Sequence, residues 1–364
     1  MAPSTGRGLM LDDQDLRSLP QAPLYRTSGT LADGRAIHYY DDGPGHDRRA
    51  ADERDLAAFT PAAELRIDPL TRQPVLIAAH RQTRTAGSAG GRCPLCPSRP
   101  GHPSEIPADD YHVAVFDNRF PSLGGAVGGR TEVVCFSAGH DQSVAALPRQ
   151  RLETIGRAWA DRTARLSELP GVQSVFVFEN RGAEVGATLS HPHGQIYAYP
   201  YLPPVQAAVV RAARDHRVRH GGCLLCAVVE REAAGPRVVS GTGRFLAYVP
   251  EAARWPYEVH IAPRRCAADL TALADDERDE LMALYGDLLR RFDGLFDDPT
   301  PYMACWHQTP LHHRDVHAHF YGQLFTIRRD VDKLKYLASS ESGAGAFIND
   351  ITPEAAAHRL RQSG

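Results

Sequence analysis

The chain has no run of 18 consecutive apolar residues, so a membrane-spanning helix is not expected. It does not open on an apolar segment resembling a signal peptide; Met1 to Leu16 is mixed and polar. Neither sign of charge dominates. The 41 Lys and Arg oppose 44 Asp and Glu, a formal net charge of -3, which argues against a broad basic surface for nucleic acid. A phosphorylated small molecule remains compatible, because it needs only a few local Arg or Lys. Cysteine is sparse and odd in number: Cys93, Cys96, Cys135, Cys223, Cys226, Cys266 and Cys305. An odd count with two C-x-x-C pairs points away from a disulfide scaffold and toward thiolate ligands in a reducing compartment.

What is present is a 364-residue chain, 43% apolar, enough to build the core of two ordinary domains. It holds 17 histidines, several in short clusters. Residues 1–64 are polar and rich in Asp, Arg, Gly and Pro; only Ile37 to Tyr40 reads as a strand, with a loop at Asp42 to Asp52. The segment reads as an extension, either loosely attached or an arm over a neighbouring subunit or site mouth. From Leu65 the pattern tightens. Strands are expected at Pro74 to Ala79, Val113 to Phe116, Glu132 to Phe136, Gln173 to Phe178 and Gly194 to Tyr199. Apolar residues at helical spacing predict a helix over Arg149 to Leu169, stopped by Pro170 and Gly171. The second half repeats this order. Strands are expected at Phe245 to Val249, Glu258 to Ala262, Tyr302 to His307 and His319 to Ile327, and helices at Asp276 to Phe292 and Pro353 to Arg361, the latter capped by Thr352.

The repeat extends to spacing. Cys93-x-x-Cys96, His140 and His191-Pro-His193 mark the first half; Cys223-x-x-Cys226, Cys266 and His317-Ala-His319 mark the second. His140 to His191 and Cys266 to His317 both span 51 residues, and Glu132 and Glu258 each stand eight residues before the third position. Duplication of one α+β module is expected, with divisions at 1–64, 65–210 and 211–364.

Cys93, Cys96, His140 and His191 make a Cys2His2 set suited to tetrahedral zinc. With four protein ligands, such an ion has no open position and holds structure. Buried thiols beside unrelated histidines are the alternative. In Ser190-His-Pro-His-Gly-Gln-Ile196, alternation puts His191, His193 and Gln195 on one strand face. A pinned His191 would hold His193 rigidly, and an imidazole can attack phosphorus to form a phosphoramidate. Gln195 can donate to a phosphate oxygen but is not an acid near neutral pH. The site therefore suits good leaving groups such as a sugar phosphate. The bland reading of H-x-H is a second metal clip.

The run Phe178 to Gln195 resembles the galactose-1-phosphate uridylyltransferase family, as do Arg66 to Thr71, Cys93-Pro-Leu-Cys96, Asn118-Arg-Phe120, Trp306-His307 and His317 to Tyr321. The resemblance covers about Leu65 to Arg361. It implies a duplicated histidine-triad fold of the α+β class, with antiparallel sheets flanked by helices, in a cytoplasmic homodimer. The implied activity is ping-pong transfer of UMP between UDP-glucose and a hexose 1-phosphate, galactose 1-phosphate first, without an organic cofactor. His193 then matches the nucleophile and Gln195 the phosphoryl-orienting glutamine. Arg81, Arg84, Asn118, Asn180 and Thr188 match substrate-binding positions. Lys335, Tyr336 and Glu341 match a segment that reaches the sugar, from the same or the neighbouring subunit. Cys93, Cys96, His140 and His191 match a structural zinc set. A second metal is also implied. The family's glutamate-and-three-histidine site would use His307, His317 and His319, but Val209 stands where its glutamate belongs. The internal repeat points instead to Cys223, Cys226, Cys266 and His317. Two other functions compete: a related nucleotidyltransferase or phosphorylase for another sugar phosphate or nucleotide, and a non-catalytic nucleotide-binding protein.

Overall fold

The computed structural model describes residues 23–83, 93–316 and 318–364. Eleven strands form one antiparallel sheet. In chain order its first-half strands are β1 (Tyr25–Thr30), β2 (Ala36–Asp41), β5 (Val113–Asp117), β6 (Arg130–Cys135), β7 (Ser174–Arg181) and β8 (His193–Tyr199). The second half adds β9 (Val238–Gly241), β10 (Phe245–Tyr248), β11 (Val259–Pro263), β12 (Tyr302–His307) and β13 (Tyr321–Phe325). A separate hairpin pairs β3 (Glu64–Ile67) with β4 (Pro74–Ile77). The sheet order is β1-β2-β5-β6-β8-β7-β12-β13-β11-β10-β9. It reads as two half-sheets joined along the β7–β12 seam, where Phe178 lies opposite Cys305. About that seam β7 answers β12, β8 answers β13, β6 answers β11 and β5 answers β10.

Alternation along the strands separates two faces. Val175, Val177, Ile196, Ala304, Trp306 and Leu324 are buried on one face, in a core shared with helices α1 (Arg149–Ser167) and, beyond the intervening α2 (Pro204–His220) and α3 (Leu224–Glu232), α4 (Asp275–Asp293) and α5 (Pro353–Gln362). Trp159, Tyr285 and Trp306 form its aromatic centre, with ring centroids 5.3–6.2 Å apart. The expected strands and helices appear with ends shifted by a few residues. Helices α2 and α3 have no counterpart in the sequence reading.

The N-terminal segment is built into the sheet. β2 pairs with β5, and Arg35, 1% exposed, donates to Asp33 at 2.7 Å, Glu105 at 2.5 Å and the Asp117 carbonyl at 2.9 Å. A buried guanidinium is tolerated only with such saturation. The residues 42–52 remain a loop, but Asp42 is tied to α1 through Arg151 and Thr154.

The internal repeat needs a correction of register. β8 begins at His193 and β13 begins at Tyr321. Gln195 pairs with Phe178 and Val133; Gln323 pairs with Cys305 and His260. Tyr321 is therefore the counterpart of His193, Gln323 of Gln195, and His319 of His191. The expectation that His319 stands in the place of His193, and that Gln323 has slipped from its histidine, is overturned. The equal spans of 51 residues matched the wrong histidine, since the second connection is two residues longer. Glu132 and Glu258 likewise differ by one step and serve opposite faces: Glu132 binds Arg162 of α1, whereas Glu258 binds His260 and Gln323.

Candidate active site and metal clusters

Cys93 and Cys96 sit in a tight turn before β5, closed by a Cys96 N–H to Cys93 carbonyl bond of 3.3 Å and a Leu95 N–H to Cys93 Sγ contact of 3.4 Å. His140 follows β6 and His191 precedes β8. Their ligand atoms all lie within 4.8 Å of one another. Cys96 Sγ is 3.5 Å from His140 Nδ1 and 3.6 Å from His191 Nδ1. A tetrahedral zinc, with bonds of about 2.3 Å to sulfur and about 2.0 Å to nitrogen, needs sulfur–nitrogen edges of about 3.5 Å. The donor set thus fits the ion. His191 Nε2 meets the Ser137 carbonyl and the Tyr111 hydroxyl at 2.8 Å each, which leaves Nδ1 for the metal. Burial pushes the His191 imidazole down to about 4, into the neutral form a metal requires. His140 Nε2 is held by Ser190 Oγ at 3.0 Å.

A second cluster gathers Cys223, Cys226, Cys266 and His319 within the same 4.8 Å limit. His319 Nδ1 is 3.7 Å from Cys223 Sγ and 3.5 Å from Cys226 Sγ. The three cysteines of the repeat-derived set come together as expected. His317 lies outside the described residues, and His319 supplies the imidazole. The His307, His317, His319 grouping is not formed among the described residues: His307 Nε2 donates to Gln323 Oε1 at 3.0 Å and its ring stacks on Tyr321, while His319 turns to the thiols.

His193 opens β8 at the edge of a cavity of about 700 Å³. Its Nδ1–H donates to the His191 carbonyl at 2.8 Å, so the lone pair resides on Nε2. The same residue that faces the metal cluster therefore fixes the tautomer of its neighbour. Gln195 Oε1 accepts from Asn118 Nδ2 at 3.4 Å and Tyr197 Oη at 3.3 Å, which leaves the amide hydrogens for an anion. Asn180 enters from β7, Asn118 from the turn after β5, Thr188 from the loop before His191, and Arg81 from a 3-10 turn at Ala79–Thr83. Arg81 is steadied by the Phe120 carbonyl at 3.2 Å. Six expected residues, Arg81, Asn118, Asn180, Thr188, His193 and Gln195, thus line one cavity.

Gly194 is required there: a Cβ would meet the Phe178 carbonyl oxygen at 2.7 Å and Phe136 at 2.8 Å. Arg84 lies outside the described residues. Lys335 and Glu341 do not line the cavity of their own chain; they form a buried pair at 2.9 Å, and Tyr336 is 72% exposed. The sequence reading missed Glu105, Phe116, Arg119 and Tyr197, all in the cavity wall. Arg119 pairs with Glu105 at 3.3 Å. Tyr197 was legible as the next step of the alternation His193, Gln195, Tyr197; Glu105 and Phe116 carried no local signal.

Models of the galactose-1-phosphate uridyl transferase N-terminal and C-terminal domains match residues 125–203 and 210–363. The chain is 42% identical over 359 residues to the galactose-1-phosphate uridylyltransferase of Streptomyces lividans, covering 93% of this chain and 98% of that protein. The protein of the same name from Thermotoga maritima is 37% identical over 82% of this chain and 98% of its own length. A solved structure described as a uridylyltransferase superposes with a TM-score of 0.74 at 31% identity, covering 82% of this chain and 98% of that one. An ADP-glucose phosphorylase from Arabidopsis thaliana shares the fold, with a TM-score of 0.66 at 24% identity over 83% of this chain and 98% of that one. The chain belongs to the galactose-1-phosphate uridylyltransferase family.

Proposed function

We propose that the protein transfers UMP from UDP-glucose to galactose 1-phosphate through a uridylyl-His193 intermediate. The observation that carries this reading is the Nδ1–H bond from His193 to the His191 carbonyl, in a cavity that also holds Gln195, Asn180 and Arg81. In the first half-reaction His193 Nε2 attacks the α-phosphorus of UDP-glucose. A P–N bond forms, the P–O bond to glucose 1-phosphate breaks, and the electron pair leaves with that phosphate. The imidazole becomes cationic, and its Nδ1–H is already aimed at a carbonyl oxygen that stabilises the charge. Gln195 donates to a non-bridging phosphoryl oxygen, and Arg81 adds positive charge beside the phosphates. The leaving group is a phosphate dianion and needs no proton, which agrees with a glutamine where an acid would otherwise serve. In the second half-reaction a phosphate oxygen of galactose 1-phosphate attacks phosphorus, the P–N bond breaks, and UDP-galactose leaves.

Both cysteine–histidine clusters are read as zinc sites. Bound there, zinc supplies folding free energy and rigidity. Residues 65–210 form the catalytic module and 211–364 its degenerate partner. The reading includes a homodimer in which the segment holding Lys335, Tyr336 and Glu341 meets the neighbouring subunit; Val331, Tyr336, Leu337 and Ile348 are exposed there, as an interface would require. Incubation with UDP-glucose alone should add one UMP to His193 and release one glucose 1-phosphate. Mass spectrometry showing no adduct, or an adduct elsewhere, sinks the mechanism.

A further inference from the structure

Among the described residues, Glu105 is the one carboxylate that lines the His193 cavity, and it is 6% exposed. Its backbone N–H donates to the Pro94 carbonyl at 3.0 Å, which sets it beside the apolar wall of Pro94, Leu95, Phe116 and Val133. Three guanidinium groups meet its carboxylate. Arg35 Nη2 donates to Oε2 at 2.5 Å, Arg54 Nη1 to Oε1 at 2.7 Å and Arg119 Nη1 to Oε1 at 3.3 Å. Arg35 and Arg54 belong to the N-terminal segment, which otherwise lies outside the cavity.

The three arginines are not equivalent. Arg35 is answered by Asp33 at 2.7 Å and also donates to the Asp117 carbonyl, at the end of β5. Arg54 makes a two-pronged bond to Asp52, at 2.8 and 2.7 Å. Both are buried side chains. Arg119 has a side chain 47% exposed, lines the cavity, and has Glu105 as its one hydrogen-bond partner among the described residues. It directly follows Asn118, which meets Gln195. Most of its five N–H donors are therefore left for a ligand.

Arg54 and Arg119 share one oxygen, Oε1, and Arg54 holds the shorter bond. A buried carboxylate must be compensated by nearby donors. With Arg54 in place, much of the charge on Oε1 is already met, and Arg119 is steadied at the wall without being drawn down onto it. Without Arg54, that oxygen has only Arg119 to recruit, and the guanidinium is pulled away from the cavity.

We propose that Arg54 is a positioning residue for uridylyl transfer: by holding Glu105 it keeps Arg119 presented to an acceptor oxygen of the uridylyl group. The N-terminal segment is then part of the binding apparatus. The ligand named here rests on the transferase reading. The test is steady-state kinetics of the full chain with UDP-glucose. Arg119→Ala should raise KM about tenfold and Arg54→Ala about three- to tenfold, each with kcat within about twofold of the parent. The double variant should be no worse than Arg119→Ala alone, because Arg54 acts through Arg119. Arg49→Ala, which breaks an exposed pair with Asp47, is the control and should change neither constant. Melting curves check that each variant folds; if Arg54→Ala does not, Arg54→Lys, which loses the two-pronged geometry, takes its place in the cycle with a smaller rise in KM and the same non-additivity. An unchanged KM in the Arg54 variant overturns the proposal, as do KM effects of Arg54 and Arg119 that multiply, or a loss confined to kcat or to the fraction of His193 labelled; all three leave the transferase reading intact. If the parent chain neither turns over UDP-glucose nor is labelled at His193, the transferase reading fails. The Kd of UMP across the same variants, by calorimetry, then decides the proposal by the same coupling, and a parent chain that does not bind UMP overturns it as well.

Discussion

The two halves share a cysteine–histidine cluster, a Gly-Gln dipeptide and a half-sheet, yet on the proposed mechanism only one does phosphoryl chemistry. In the first half the residue two steps beyond the clip histidine is His193, and Gln195 keeps its amide hydrogens for substrate. In the second half the same positions hold Tyr321, with no comparable nucleophilic nitrogen, and Gln323, already bonded on both sides to Glu258 and His307. The scaffold tolerates either set because the backbone demand is the same. Gly322, like Gly194, has no room for a Cβ, which here would lie 2.5 Å from the Trp306 ring. On the proposed mechanism, catalysis therefore resides in two side chains and their hydrogen-bond partners, not in the module.

The largest expected effect breaks this asymmetry from the active side. His193→Ala should lower kcat by about 10⁴-fold or more and remove the UMP adduct, whereas Tyr321→His should leave the adduct count at one per chain. A second labelled histidine in that variant would mean that the locked Gln323 is not the obstacle. Next come the metals. Intact protein should contain two zinc ions per chain by elemental analysis, and Cys93→Ser and Cys223→Ser should each lose one. Cys93→Ser should also cost about 100-fold in kcat, since His191 positions His193; Cys223→Ser should lower the melting temperature with kcat changed less than about fivefold. Equal kinetic losses would show that the second clip also shapes the catalytic site.

The glutamines sharpen the contrast further. Gln195→Ala should reduce kcat/KM by about 10²-fold. Gln323→Ala should leave kinetics within about threefold and destabilise by about 1–3 kcal/mol, because Glu258 and His307 lose a buried partner. Urea titrations and steady-state rates read the two effects separately. The smallest effect concerns the seam itself. Glu179, buried below it, accepts from Tyr285 at 2.8 Å and Tyr302 at 2.6 Å, and burial pushes its carboxyl up to about 7. The folded state then holds this proton where the unfolded state has released it, so stability contributed by the protonated form is present below the ordinary carboxylate range and lost as pH rises toward 7. Glu179→Gln should become relatively more stable than the parent between pH 5 and pH 8, by on the order of 1–2 kcal/mol. A difference that is flat with pH would place the proton elsewhere.

Much of this was legible along the chain. Period-two alternation located β8 and put His193 and Gln195 on one face, and carried one step further it reaches Tyr197. Helical spacing located α1 and α4, and C-x-x-C spacing marked both clips. The first cluster was readable because three of its four ligands, Cys93, Cys96 and His191, belong to sharp local motifs, with His140 added by the resemblance. The second was misread by two residues because the pairing followed the histidines. The dipeptide Gly194-Gln195 recurs as Gly322-Gln323 directly after Tyr321, and matching on it yields the observed register. Glycine was the better marker, since a steric limit holds it in both halves, while the histidine was free to change.

By itself, the sequence determined the α+β duplication, from the order of its motifs, and marked the cysteine pairs and the His-Pro-His-Gly-Gln segment from which His193 is proposed as the nucleophile, since those motifs rest on residues a few steps apart. Only the tertiary structure decided that the two half-sheets fuse through β7 and β12, that the polar N-terminal segment becomes edge strands, and that His319 completes the second clip. It also decided that Glu105 and Arg119 reach the cavity while Lys335 and Glu341 pair with each other. The strand pairings and the cluster ligands join residues from tens to more than a hundred positions apart, where local periodicity carries no information; the Glu105–Arg119 and Lys335–Glu341 pairs are closer in sequence, but whether they reach the cavity or each other depends on which buried charges must be satisfied.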